Sequence, residues 1–171
     1  MAESPSTTVP LQLEDFFLTR LNVEWRNLPS EGDYKVNSLK VQVSYELAHH
    51  AELQHAYQMT LSVAGEDVIE KAANAGYKFE AVITGRYHIE NAKTPELEAR
   101  LAVINGISLL YSTLRGLLGS VTGSFEFGKL VLPSINPLAI VEQAEKAKLM
   151  GGKSDSAPPL PVVKKPAATP A

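Results

Sequence analysis

The sequence predicts an α+β fold: a four-stranded antiparallel sheet with a long helix packed on it, an extended lid segment and a short C-terminal helix. Three observations carry this. Apolar and polar residues alternate in four successive stretches between residues 11 and 89, and strands that follow one another without crossover helices pair antiparallel. Apolar residues then recur every three or four positions from Leu97 to Val121, the repeat of a helix face. Finally, Pro133 and Pro137 keep an apolar stretch extended before a last amphipathic segment.

The first strand places Leu11, Leu13, Phe17, Leu21, Val23 and Trp25 at odd positions. Gln12, Glu14, Arg20, Asn22, Glu24 and Arg26 lie between them. Asp15 and Thr19 interrupt the odd set, and Phe16 and Leu18 interrupt the even one. A long strand with a bulge, or with a second apolar face near its middle, accounts for this. Residues 27–38 hold the breakers of a loop. The second strand alternates over Leu39, Val41, Val43, Tyr45 and Leu47, and the third over Tyr57, Met59, Leu61 and Val63. Residues 64–76 read as a long loop, with helical propensity in VIEKAANA. The fourth strand spans Tyr77, Phe79, Ala81, Ile83, Tyr87 and Ile89.

The covering helix starts at Thr94 as N-cap, with Pro95 in the first position and Glu96 and Glu98 near the positive end of the dipole. Leu97, Leu101, Ile104, Ile107, Tyr111, Leu114, Leu118 and Val121 form its main apolar face. Val103, Leu110 and Leu117 form a second stripe. A helix apolar on two sides needs two partners, so the second stripe is the expected oligomer interface. After Gly119 and Gly123 the extended segment SFEFGKLVLPSINP follows, then a shorter helix with Leu138, Val141 and Leu149 on one side.

Composition narrows the function. The chain has 171 residues, enough for one domain with tails, and a net charge of −3 gives no general attraction to nucleic acid or anionic membranes. It has no cysteine, which excludes thiolate chemistry and disulfides. Residues 1–10 lack the charged start and apolar run of a signal peptide, and no window suggests the roughly 18 apolar residues of a membrane span. A cytoplasmic location is the expectation. Residues 1–10 and the Pro-rich 150–171 read as disordered tails, with Pro158, Pro159, Pro161, Pro166 and Pro170 opposing helix and strand alike. His49, His50, Glu52 and His55 match no metal-ligand spacing. GYKFEAVITG lacks the setting of a phosphate loop, and Ser120 and Ser124 lack that of a hydrolase nucleophile. No acid, base and nucleophile assemble, so the chain reads as a non-enzyme without cofactor or metal.

Order and spacing together resemble the SecB family of protein-export chaperones over residues 11–149, as a divergent member. LQLEDFFLTRLNVEW is similar to the SecB opening strand, including Glu24 near its end. Leu109, Leu110, Tyr111, Leu114 and Arg115 stand in for the family's helical run, and Phe127, Leu130, Leu132, Ile135 and Asn136 follow at matching distances. Ser112, Thr113, Gly116 and Pro137 depart from the family pattern.

The resemblance implies an ATP-independent holdase, a homotetramer built as a dimer of dimers, that binds unfolded or precursor polypeptides in apolar grooves for Sec-dependent export. By match, the groove is lined by Trp25, Leu28, Tyr34, Phe125, Phe127, Leu130, Leu132, Ile135, Leu138 and Val141. Glu24 and Glu80 match the carboxylates of the SecA contact, while Arg20 and Lys78 replace an acidic and an apolar residue there. Two alternatives stand beside export: a chaperone dedicated to a toxin–antitoxin system, and a carrier of small apolar ligands. Neither nucleic acid nor membrane insertion is expected.

Overall fold

The computed structural model describes residues 11–26, 36–50, 53–69, 75–90, 92, 94–125, 128–149 and 163–164. Four long strands come first: β1 (Leu11–Arg26), β2 (Val36–His49), β3 (Ala56–Ile69) and β4 (Gly76–Ile89). Two helices follow, α1 (Pro95–Thr122) and α2 (Pro137–Leu149), and then a two-residue strand, β5 (Val163–Lys164). The sheet order is β1-β4-β3-β2-β5, antiparallel at every pairing.

β1 resolves its own broken pattern. Its register against β4 shifts between Leu13 and Asp15 and again between Leu18 and Arg20. Each extra residue reverses the alternation, because side chains in a strand have a period of two. Leu11, Leu13, Phe16, Leu18, Leu21, Val23 and Trp25 therefore pair with Ile89, Tyr87, Gly85, Ile83, Ala81, Phe79 and Tyr77. These are the β4 positions whose side chains point to the helix. Two bulges thus bring every apolar residue of β1 except Phe17 to one face. Phe17 lies opposite, beside Thr84, with the Arg86 guanidinium 5.7 Å from its ring centroid.

The core lies between this face and α1. Met59, Leu61, Ala81, Ile83, Ile89, Ile107, Leu110, Leu114 and Leu118 are fully buried. The interface is tight at two glycines. A Cβ on Gly85 would come within 2.6 Å of Leu110, and one on Gly106 within 2.7 Å of the Tyr87 hydroxyl and 2.9 Å of Met59. Only a residue without a side chain lets helix and sheet approach this closely. The α1 N-terminus forms as its sequence predicts, with the Leu97 amide donating to Thr94 Oγ1 at 3.2 Å and proline opening the helix.

Four expectations need correction. Residues 64–69 are strand, not loop: β3 pairs with β2 as far as Ile69. The helical propensity of this stretch yields to cross-strand pairing. Leu110 is fully buried against Gly85 and is not on an outward stripe, while Val103 and Leu117 are partly buried against the core. The buried face of α1 instead steps by four through Glu98, Ala102, Gly106, Leu110, Leu114, Leu118 and Thr122. Next, an 18-residue window of α1 has mean hydropathy 1.4, long and apolar enough to cross a bilayer by length and composition; here the helix covers the sheet. Lastly, Val163–Lys164 pair with Leu39 and Ser38 at the free edge of β2. The stretch between Pro161 and Pro166 contains no proline, so it can supply two paired residues. The expected tail 1–10 lies outside the described residues, as does the rest of 150–171.

Candidate client-binding surface

The lid is an extended segment fastened from below. Thr122 Oγ1 donates to the Leu118 carbonyl at 2.7 Å and accepts the Leu130 amide at 2.8 Å, so the end of α1 holds the start of the lid. The Tyr77 hydroxyl donates to the Gly128 carbonyl, and the Tyr111 hydroxyl donates to the Pro133 carbonyl at 2.9 Å. Asn136 Oδ1 accepts the Leu138 amide at 3.1 Å, which opens α2. Burial drives the phenol of Tyr111 far above its usual range, keeping it a neutral donor.

An extended segment turns alternate residues to opposite sides. Leu130 and Leu132 point inward and are buried, at 2% and 0% exposure. Val131 points outward at 44%; beyond half-buried Pro133 the alternation breaks, with Ser134 and Asn136 exposed and Ile135 half-buried against the core. Leu138, at 41%, extends the outward side onto α2, beside half-buried Val141. Phe125 is exposed just beyond α1. Trp25 sits edge-on to Tyr77 at 4.9 Å, and Tyr77 in turn holds Gly128. The end of β1, the end of α1 and the lid entrance therefore converge.

Of the expected groove residues, the structure exposes Phe125 and Leu138 and leaves Trp25, Ile135 and Val141 half-buried. It corrects Leu130 and Leu132, which belong to the core and offer a client no surface. Leu28, Tyr34 and Phe127 lie outside the described residues. The sequence reading missed Val131. The two-residue alternation of an extended LVL would have marked the middle residue as the outward one.

The sheet face away from the helix is of mixed sign. Arg20 Nη1 meets Glu80 Oε1 at 2.7 Å, with both side chains largely in solvent. Glu24 accepts from Asn22 at 3.1 Å and pairs across the strands with Lys78. Glu24 and Glu80 are thus accompanied by cations and do not form an acidic patch. Among the described residues no group of His, Asp and Glu could hold a metal.

A further cluster lies at the other end of the sheet. Glu98, in the first turn of α1, is only 8% exposed. It accepts the Tyr57 hydroxyl at 2.8 Å and lies 2.9 Å from His55 Nδ1. Burial opposes its charge, but the bonds from Tyr57 and His55 and the nearby His55 and His49 hold its carboxyl below the usual range. Burial and the bond to Glu98 push the Tyr57 phenol up to about 12.

No protein-family model matches the sequence, and no curated protein matches it either. Solved structures do. The chain is similar to a SecB-like chaperone of Mycobacterium tuberculosis, solved in complex with a peptide from an antitoxin: TM-score 0.53 and 14% identity over 74% of this chain and 88% of that one. A protein of unknown function from Streptococcus agalactiae is 18% identical over 72% of this chain and 97% of that one, with a TM-score of 0.45. The chain, with its four long antiparallel strands, long covering helix and short second helix, has a SecB-like fold.

Proposed function

We propose that the chain is an ATP-independent holdase that keeps unfolded polypeptides in extended form and carries out no catalysis. The observation that supports this most is the outer side of the lid. Val131 and Leu138, 44% and 41% exposed, give that side its apolar surface, with Ile135 half-buried against the core between them, on a segment whose Leu130 and Leu132 are anchored in it. An unfolded client offers apolar side chains without fixed shape, and a wide strip on a rigid base accepts them with little selectivity. Phe125 and Trp25 at the lid entrance would widen it, aromatic rings giving large contact area.

Self-association belongs to the same reading. β1 is an edge strand, and it carries Phe16 and Leu18 at 42% and 38% exposure on the helix side. Leu97 and Leu109 of α1 are exposed at 40% and 37%. An exposed edge with apolar residues invites a second copy. A homotetramer in the cytoplasm is the assembly and location we infer.

For the client, an antitoxin-type polypeptide is the second reading beside export. The similar mycobacterial chaperone was solved with an antitoxin peptide. The cations Arg20 and Lys78 beside Glu80 and Glu24 also weaken the case for docking to SecA through an acidic face. A carrier of small apolar ligands is disfavoured where Leu110 meets Gly85 and Met59 meets Gly106, since helix and sheet touch there without space.

The test combines Val131→Asp and Leu138→Asp in one chain and follows aggregation of a chemically denatured client. Suppression is expected to vanish while circular dichroism and oligomer size stay unchanged. Full suppression by the folded double variant would remove the lid from the binding surface.

A further inference from the structure

The chain has four histidines, and all four gather at one end of the sheet: His49 ends β2, His50 follows it, His55 precedes β3, and His88 pairs with Ala56 from β4. The β2–β3 hairpin closes there. The His50 amide donates to the Ala56 carbonyl at 2.9 Å, and the Ile89 amide donates to the His55 carbonyl at 3.0 Å. His55 adopts φ 64°, in the left-handed region that non-glycine residues rarely occupy. Such a conformation persists only where its surroundings fix it. Here the fixing contacts are the Ile89 amide on its carbonyl and Glu98 on its ring.

We propose that His55 and Glu98 form a proton-operated latch: a charged His55 ring clamps the β2–β3 hairpin tip to the first turn of α1, and a neutral ring loosens it. The carboxylate is well suited to its part. It is buried, both of its oxygens are engaged, and it belongs to a helix packed on the core. The His55 side chain is 49% exposed, so protons reach it freely. Histidine is the residue type whose charge switches between pH 5 and 8, a range in which carboxylates stay ionised. Glu98, held below the usual carboxyl range, keeps its charge through that whole window.

The neighbouring charges bound the device. From β2, His49 lies edge-on to Tyr57 at 5.0 Å, and its charge also favours ionised Glu98. From β3, Tyr57 donates to Glu98 and stacks on Tyr87 of β4, whose hydroxyl is bonded to the Ala102 carbonyl. From β4, His88 faces His55 at 6.0 Å, so charging both rings opposes the clamp. α1 itself carries Glu96 and Arg100 beside Glu98. Glu14 of β1 and Arg86 of β4 line a crevice of about 540 Å³ that His49, His50 and Tyr57 also border. Leu53, the hairpin-tip residue on that crevice, is 58% exposed, and its amide donates to His50 Nδ1 at 3.1 Å, a bond that a charged His50 ring cannot accept and that therefore opposes the latch. Loosening the tip would therefore change how an apolar side chain is presented.

The test is amide hydrogen exchange on the full chain at pH 8.0 and 5.5, normalised for the intrinsic pH dependence of exchange. Protection of the His50 and Ile89 amides is expected to rise about threefold on acidification, the size of a partly exposed ion pair. The Leu130 amide, held by a neutral hydroxyl, is the internal reference and should not change. His55→Asn tolerates the left-handed backbone and removes the ring, so the rise should disappear. Glu98→Gln should abolish it as well, and His88→Gln should enlarge it. A flat profile in the unmodified chain overturns the latch, and so does a rise that survives His55→Asn.

Discussion

The two ends of the sheet are fastened to their surroundings by different chemistry. Tyrosine hydroxyls do the work at both. At the lid end, Tyr77 and Tyr111 donate to the backbone carbonyls of Gly128 and Pro133. At the hairpin end, Tyr87 donates to the Ala102 carbonyl, but Tyr57 donates to the Glu98 carboxylate, which His55 also meets. The lid end contains no histidine, and the hairpin end contains all four. The lid itself is therefore held by neutral bonds and apolar burial, and the charged groups at that end, Asp67 accepting the Tyr77 amide at 2.9 Å and Glu66 3.7 Å from Arg26, include no histidine. The hairpin end is built around a charge. The difference separates the proposed client surface from the part of the molecule that responds to protons.

The sharpest way to break the lid end is to remove its inner anchor. Leu132→Ala, at a fully buried site, should cost about 2–5 kcal/mol in denaturant unfolding, equally at pH 5.5 and 8.0. At the hairpin end, Glu98→Gln should cost about 1–3 kcal/mol at pH 7, because charge-assisted bonds to a buried carboxylate are lost. This cost should grow from pH 8.0 to 5.5 as the latch closes and fall again in stronger acid. A carboxyl whose folded pKa is lowered stabilises the fold above its unfolded pKa and loses that contribution as pH falls through the folded value. The difference between wild type and Glu98→Gln should therefore shrink below about pH 4.3. Tyr111→Phe removes one neutral bond to Pro133 and should cost about 1 kcal/mol without pH dependence. Arg20→Ala, on the exposed sheet face, is the smallest change. It should cost below about 1 kcal/mol, and less at high salt, since both partners of the pair are solvated. A pH-dependent Leu132→Ala or a pH-independent Glu98→Gln would erase the contrast between the ends.

The sequence made some of this legible and hid the rest for physical reasons. The four strands and both helices follow from period and capping alone, and even the bulge in β1 is foreshadowed by the misplaced Phe16 and Leu18. That there are two bulges, and that they gather nearly all of β1's apolar residues on one face, emerges only from the pairing with β4. Strand β3 ran past its apolar alternation into AGEDVI because β2 offered partners there, which local propensity does not encode. Leu110 was misplaced because spacing alone does not reveal that Gly85 opens room for it in the sheet. The lid's location was legible, its sidedness only partly. Glu98 read as an ordinary first-turn acid, since its partners His55 and Tyr57 lie 43 and 41 positions away in the chain.

Holdase function requires unfolded chains to lie against the outer side of the lid. Site-specific photo-crosslinking measures that directly, with a photoreactive side chain placed at position 131 in one chain and at position 62, on the uncovered face of the sheet, in another. Mixed with a denatured polypeptide, the chain labelled at 131 should capture it and the chain labelled at 62 should not. Equal capture at both positions, or capture at 62 alone, would contradict the account.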